Sequence, residues 1–165
     1  LRQFFAEAER QPWFDNTIFV LVGDHGLAME KAQECVLPDM INHVPLIFYS
    51  KLLPAGEYSD VVSQNDIAAT LLSLIGHSYD TNSLSIDVLH SKRPYTIYSD
   101  GEHIACRSNT RLFLFNYNNN RKWYYRVTGY CKVEPIEPDD ELLSMERYCL
   151  TTYQLELDQL KNLLE

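Results

Sequence analysis

The chain has 165 residues, enough for one domain with a real core, and its 45% apolar and 22% charged content is that of a globular protein. A formal net charge of −9 argues against a nucleic-acid face, because phosphate binding needs clustered Lys and Arg. No apolar run approaches the length of a membrane span, and the opening residues do not read as a signal peptide. The start at Leu1, running at once into an amphipathic segment, reads as a piece cut from something longer.

Residues 1–11 place Leu1, Phe4, Phe5 and Ala8 at helical spacing and stop before Pro12, which predicts a helix. The run Thr17-Ile18-Phe19-Val20-Leu21-Val22 then reads as a buried strand, ended abruptly by Gly23-Asp24-His25-Gly26. In an open α/β sheet, chemistry collects beyond the carboxyl ends of the strands, where this Asp-His pair would lie. A carboxylate beside an imidazole suits zinc, manganese or magnesium. The flanking glycines would let the backbone turn sharply and let a metal or phosphoryl group approach. Taken alone, the tetrapeptide reads equally well as a turn, with Asp24 capping the next segment and His25 in solvent.

Residues 27–43, which include Pro38, lack clean periodicity and read as an active-site loop. Val44-Pro45-Leu46-Ile47-Phe48-Tyr49 is a second short apolar run. Ser63 with Asp66 three residues on is a capping-box-like helix start, and Gly76 marks its stop. Ile67, Leu71, Leu74 and Ile75 are its expected buried stripe, and Asp66 is read as capping and compensating the first turn rather than as a ligand. Tyr95-Thr96-Ile97-Tyr98, Ile104-Ala105-Cys106-Arg107 and Arg111-Leu112-Phe113-Leu114-Phe115 are strand-like, broken by turn signals at Asp100-Gly101 and Ser108-Asn109. They predict a small antiparallel meander in which Tyr95, Ile97, Phe113 and Phe115 alternate between a packed and an exposed face. Beyond Pro135 and Pro138, Leu142, Met145, Cys149, Tyr153, Leu157, Leu160 and Leu164 recur by threes and fours on a terminal helix. Cys35, Cys106, Cys131 and Cys149 show no C-x-x-C spacing, which favours buried or free thiols and leaves room for one or two disulfides of unassigned pairing.

The ordered series of strand-Asp-His-Gly, then Val-Pro-Leu-Ile-Phe-Tyr, then S-x-x-D-I-A-x-T-L-L-x-L-x-G resembles the C-terminal half of the sulfatase and alkaline-phosphatase superfamily. The form of the second run looks most like the lipoteichoic acid synthase branch, the phosphoglycerol transferases. The resemblance covers residues 15 to 120, with Ser50 and Ala69 standing where proline is usual. It implies an α/β fold: the C-terminal half of a three-layer α/β/α sheet domain with an appended antiparallel meander and a C-terminal helix. Residues 1–90 would be core, 91–134 the meander of the same domain and 135–165 the helical segment.

What the resemblance implies about chemistry is equally specific. In that superfamily a divalent metal activates a Thr, Ser or formylglycine nucleophile that attacks phosphorus or sulfur. Asp24 and His25 carry over as metal ligands, for manganese, magnesium or zinc. His43 is a candidate substrate or second-metal contact, against a plain reading as a polar residue at a strand entrance. Lys31 falls where some sulfatases place a substrate-binding lysine. His77, His90 and His103 read as surface groups, and Thr70 and Ser63 as poor nucleophiles because they lie within or cap a helix. The nucleophile and the other ligands would lie upstream, so the chain alone is expected to be catalytically inert. Its partners would be the upstream half of the same domain and an ester substrate, lipid- or glycan-linked, without nucleic acid. An uncovered sheet edge would invite homo-oligomers. The parent would be membrane-anchored with this part outside the cytoplasm. Rival readings are an arylsulfatase or phosphoethanolamine transferase, decided by the upstream nucleophile, and a non-catalytic α/β binding or structural module.

Overall fold

The computed structural model describes residues 1–26, 41–78, 84–129 and 132–164. Along them run α1 (Arg2–Ala8), β1 (Phe19–Val22), β2 (Leu46–Tyr49), α2 (Asp66–Leu74), β3 (Thr96–Ser99), β4 (His103–Arg107), β5 (Arg111–Asn116), β6 (Arg121–Gly129), β7 (Lys132–Pro135) and α3 (Asp140–Leu164). The class is mixed α/β, as the sequence predicts. The strands form a two-stranded ribbon, β1–β2, and a five-stranded sheet in the order β3-β4-β5-β6-β7.

Every neighbour in the larger sheet is antiparallel and next in sequence, so its turns set its register. Asp100 Oδ1 accepts the N–H groups of Glu102 and His103 at 2.9 and 2.7 Å, and Asn116 Oδ1 accepts those of Asn118 and Asn119 at 3.0 and 3.2 Å. Such Asx turns satisfy the backbone where the ladder reverses. Pairing places Ile97, Cys106, Phe113 and Tyr124 in one row across four strands. Onto that row α3 lays Leu142, Met145 and Cys149, all fully buried with Ile104, Cys106 and Phe113. Burying a Leu or Met side chain in this way stabilises by about 1.5–3 kcal/mol. Hydrogen bonding to Cys149 and burial push the Cys106 thiol well up, and both cysteines are free. Cys35 and Cys131 lie outside the described residues.

The start of α3 is fastened by Asp139, whose carboxylate accepts the Leu142 N–H at 2.9 Å and Arg111 Nε at 2.8 Å. A turn further on, Glu146 accepts Lys122 Nζ and the Tyr124 hydroxyl, each at 2.6 Å. Burial together with Glu146 pushes the Tyr124 hydroxyl up to about 12. The predicted apolar stripe buries only its first half. Beyond Tyr153 the helix leaves the sheet, and Leu160 is exposed.

Two expectations need correction. The sheet does not alternate between a packed and an exposed face: Tyr95, Ile97, Phe113 and Phe115 all gather on the side facing α3. On the other side Ala105, Leu112 and Leu114 are buried under Tyr98, Trp123, Tyr125 and Val127, because aromatics of the flanking strands fold over the smaller residues between them. The meander runs through β6 and β7 to Pro135, and the terminal helix begins at Asp140, beyond Pro138. On α2, the buried residues are Asp66, Ala69 and Thr70; Ile67, Leu71 and Leu74 are half-buried, and Ile75 is exposed.

The ribbon strands pair antiparallel, Phe19 with Tyr49 and Val22 with Leu46. One face carries an aromatic cluster with α1: Phe5 lies 5.2 Å from Phe19 and 5.0 Å from Tyr49, between ring centroids, and Phe14 lies 5.5 Å from Phe19. Ser50, one of the departures from the family pattern, donates its hydroxyl to the Thr17 carbonyl at 2.7 Å and so ties the ribbon's end. The stop of α2 is as predicted. Gly76, at φ 71°, donates to Ser73 and His77 donates to Leu72, both at 2.9 Å. A left-handed residue closing these two bonds suits glycine.

Candidate metal-binding turn and adjoining cavity

β1 leads directly into Gly23, whose N–H donates to the Pro45 carbonyl at 3.1 Å. A Cβ on Gly23 would come within 2.9 Å of Val44 Cβ, so only glycine lets the two chain segments approach this closely. Its role is thus packing against β2's entrance. Asp24 and His25 follow at once, with side chains 89% and 67% exposed and His25 Nε2 3.8 Å from Asp24 Oδ2. His25 Nδ1 lies 2.8 Å from the Gly26 carbonyl. A carbonyl can only accept, so Nδ1 donates its proton there and Nε2 is the ring nitrogen that faces the carboxylate. The His25 backbone N–H, together with the adjacent imidazole, holds the Asp24 carboxyl below its ordinary value.

A carboxylate beside an imidazole whose Nδ1 is held by the backbone is a donor pair that fits a divalent metal, and the Gly26 carbonyl is the kind of outer partner that fixes a ligating histidine. Among the described residues no group of three or more His, Cys, Asp or Glu is placed to hold a metal, so the pair would be part of a larger set. Asp24 also borders a cavity of about 630 Å³ between the ribbon, α2 and the edge of the larger sheet. Its wall includes Val22, Leu46 and Phe48 from the ribbon, Ser63 and Gln64 ahead of α2, and Tyr98 and Arg107 from β3 and β4. His43 lies on the same wall, so the structure brings His43 and Asp24 to one cavity, whereas His25 stands beside Asp24 outside it. Lys31 lies outside the described residues.

The remaining candidates fall elsewhere. Asp66 is 1% exposed, and its carboxylate is fully engaged. It accepts the Ser63 N–H at 2.8 Å, the Ile86 N–H at 3.0 Å, Arg93 Nε at 3.0 Å and, closer still, Arg93 Nη2. The Ser63 bond is half of the predicted capping box; the buried Arg93 is the counterion that local sequence did not indicate. Thr70 is buried, donating to the Asp66 carbonyl at 2.8 Å and accepting the Val88 N–H at 3.1 Å, which accounts for it structurally. His77 is exposed, and His90 sits on the surface 2.6 Å from Asp87. His103 is a correction: its side chain is only 21% exposed, held by Asp100 at 3.1 Å and Asn116 at 3.1 Å, with Trp123 against its ring. Sequence reasoning missed two residues at the cavity, Gln64 and Arg107. Neither sits in a pattern that marks chemistry.

Residues 1–77 match the family model Sulfatase. No curated protein matches the sequence. Among solved structures, the chain is similar to a protein in the alkaline phosphatase superfamily from Vibrio parahaemolyticus, with a TM-score of 0.77 and 18% identity. The match covers 95% of this chain and 39% of that one, so the chain spans about two fifths of the other protein's length. The family match covers less than half of the chain, and the structural likeness, at 18% identity, shows the fold. No helix among the described residues is long and apolar enough to cross a membrane.

Proposed function

We propose that the chain belongs to the sulfatase and alkaline-phosphatase superfamily and is the C-terminal part of a metal-dependent phosphoryl-ester enzyme of the phosphoglycerol transferase type, similar to lipoteichoic acid synthase. Asp24 and His25 are two of its metal ligands, and His43 is a substrate or second-metal contact across the shared cavity. The observation that carries this reading is the turn itself: an ionised carboxylate and an oriented imidazole 3.8 Å apart, directly after a strand and beside a cavity. The metal, manganese, magnesium or zinc, would polarise the ester oxygen and lower the pKa of the attacking group. This chain's contribution is to hold that ion and to present a wall to the substrate.

The nucleophile and the other acidic ligands belong to an upstream half of the same domain, which is the chain's principal partner. Residues 1–90 contribute to the shared core, 91–134 form its meander and 135–165 its helical segment. The parent is anchored in a membrane, with this part outside the cytoplasm and acting on a lipid- or glycan-linked ester. The Val-Pro-Leu-Ile-Phe-Tyr run favours the phosphoglycerol transferase branch. The match of residues 1–77 to the Sulfatase model favours a second reading, in which the ester is a sulfate.

The test is to assay this chain alone, and then together with its upstream half, on a phosphodiester and a sulfate ester with added manganese, magnesium or zinc. Turnover should need the upstream half and the metal. Asp24→Asn or His25→Ala should then lower it by more than the roughly 100-fold that loss of an outer partner of a metal ligand can cost. Metal-dependent turnover by the 165-residue chain alone, abolished by those substitutions, would overturn the division of labour. Unaltered activity in Asp24→Asn would overturn the ligand assignment.

A further inference from the structure

We infer that Gln64 is a positioning residue for the Asp24–His25 turn, an inference that rests on the metal reading above. Its side-chain Nε2 donates to the Gly23 carbonyl at 2.6 Å and to the Asp24 carbonyl at 3.0 Å, reaching across 41 and 40 residues of chain. Two acceptors on consecutive peptide units call for both N–H groups of one primary amide, so the amide orientation is fixed by its partners. The turn is fastened on its other side by backbone bonds, Gly23 N–H to Pro45 at 3.1 Å and Gly26 N–H to Ile41 at 2.6 Å. Gln64 therefore supplies the tie from the α2 side to the backbone that carries the Asp24 side chain.

The base of this tie is rigid. Gln64 stands between Ser63, whose N–H is held by Asp66, and the first turn of α2, with the Ile67 N–H donating to its own carbonyl at 3.2 Å. Asp66 is in turn locked by the buried Arg93. The rigidity of a buried ion pair is thus relayed through one exposed glutamine to the turn bearing the metal ligands. Because Gln64 is exposed, removing its amide leaves no void in a core. Its loss should register in the precision of the turn and not in the stability of the fold, as outer groups at metal sites do.

The 165-residue chain, titrated with Mn²⁺ alone and followed by paramagnetic broadening of Asp24 and His25 resonances, provides the test. Gln64→Met keeps length and neutrality and removes both donors. The unsubstituted chain should show scalar coupling through the hydrogen bonds from Gln64 Nε2 to the Gly23 and Asp24 carbonyl carbons. Gln64→Met should raise the apparent Kd for Mn²⁺ by about 10-fold or more while leaving the unfolding midpoint in place. Equal affinity in the two proteins, or a loss that only follows a lowered midpoint, overturns the inference. Asp24→Asn separates this from failure of the metal reading. If that variant broadens like the unsubstituted chain, or the unsubstituted chain does not broaden, Asp24 and His25 do not hold Mn²⁺ without the upstream ligands. Gln64 is then judged by the backbone order parameters of Asp24 and His25, which must fall in Gln64→Met; unchanged values overturn it.

Discussion

The sheet with its helix and the ribbon with its turn are built from similarly apolar sequence, yet they solve burial differently. In the first, Ile104, Cys106, Phe113, Leu142, Met145 and Cys149 are all at most 1% exposed. In the second, few residues are closed off, while Val22, Ile47 and Tyr49 remain 45%, 52% and 39% exposed. The sheet brings its own cover, α3, so its core closes within its own stretch of chain. The ribbon has an aromatic cluster on one face and a cavity on the other, and its geometry depends on polar ties: Ser50, Gln64 and the Asp66–Arg93 pair. The proposed site lies on the side with less packing and more directed hydrogen bonds, as binding sites drawn from less protected parts of a fold do.

The largest test of this contrast is Phe113→Ala. Its ring is fully buried between β5 and α3, so truncation should cost about 3–5 kcal/mol, read by denaturant unfolding. Hydrogen exchange in β1 and β2 should change far less than in β4 and β5; equal loss would mean that the two regions open as one unit. Asp66→Asn probes the other side. Removing the charge opposite the buried Arg93 should cost about 3 kcal/mol, near the lower end for a broken buried pair because the amide oxygen still accepts. Its effect should appear around α2 and the Asp24 turn, and protection of β4 and β5 should persist. Loss of the sheet first would break the comparison.

A smaller effect tests the sheet's own fastening. The Leu142 N–H, followed by Arg111, holds the Asp139 carboxyl below its ordinary value. A carboxyl whose folded pKa is depressed adds stability above its unfolded value, about 3.9, and loses it as pH falls through the folded value. Asp139→Ala should therefore cost about 1 kcal/mol near neutrality. The gap between the two proteins should close as pH falls through the folded value, below which the carboxyl is protonated in both states. The side chain is 39% exposed, so solvent screens the Arg111 pair and the cap carries most of the effect. A gap independent of pH would show that packing, not the carboxylate, was lost.

Most elements are legible in the sequence because their signals are local. An apolar run cut by Gly-Asp-His-Gly marks β1 and the turn; Gly76 marks the end of α2; Asp100-Gly101 and Ser108-Asn109 place the first sheet turns. The antiparallel direction of β2 is not local, since apolar content carries no polarity of strand. Nor is the partner of Asp66, which lies 27 residues away on a segment without periodicity. The second buried sheet face escapes a strict alternation rule because Trp123 and Tyr125 cover it from within the same sheet. Gln64 is the clearest gap at the site: a polar residue ahead of a helix looks like any surface residue until its two carbonyl partners are seen.

The order of strands in the larger sheet also bears on how the chain reaches its native state. Each strand from β3 to β7 pairs with its immediate successor, so every closure spans a short loop and loses little chain entropy. The ribbon pairs Phe19 with Tyr49 across a much longer excursion. Proteins rich in near-sequence contacts fold faster than those that wait for distant ones. The meander should accordingly acquire amide protection first in pulsed hydrogen exchange, offering α3 a surface to dock on while β1 and β2 are still apart. Simultaneous protection of Val20 and Phe113 would contradict that sequence of events. The Asp24–His25 turn would then be among the last parts of the molecule to take shape.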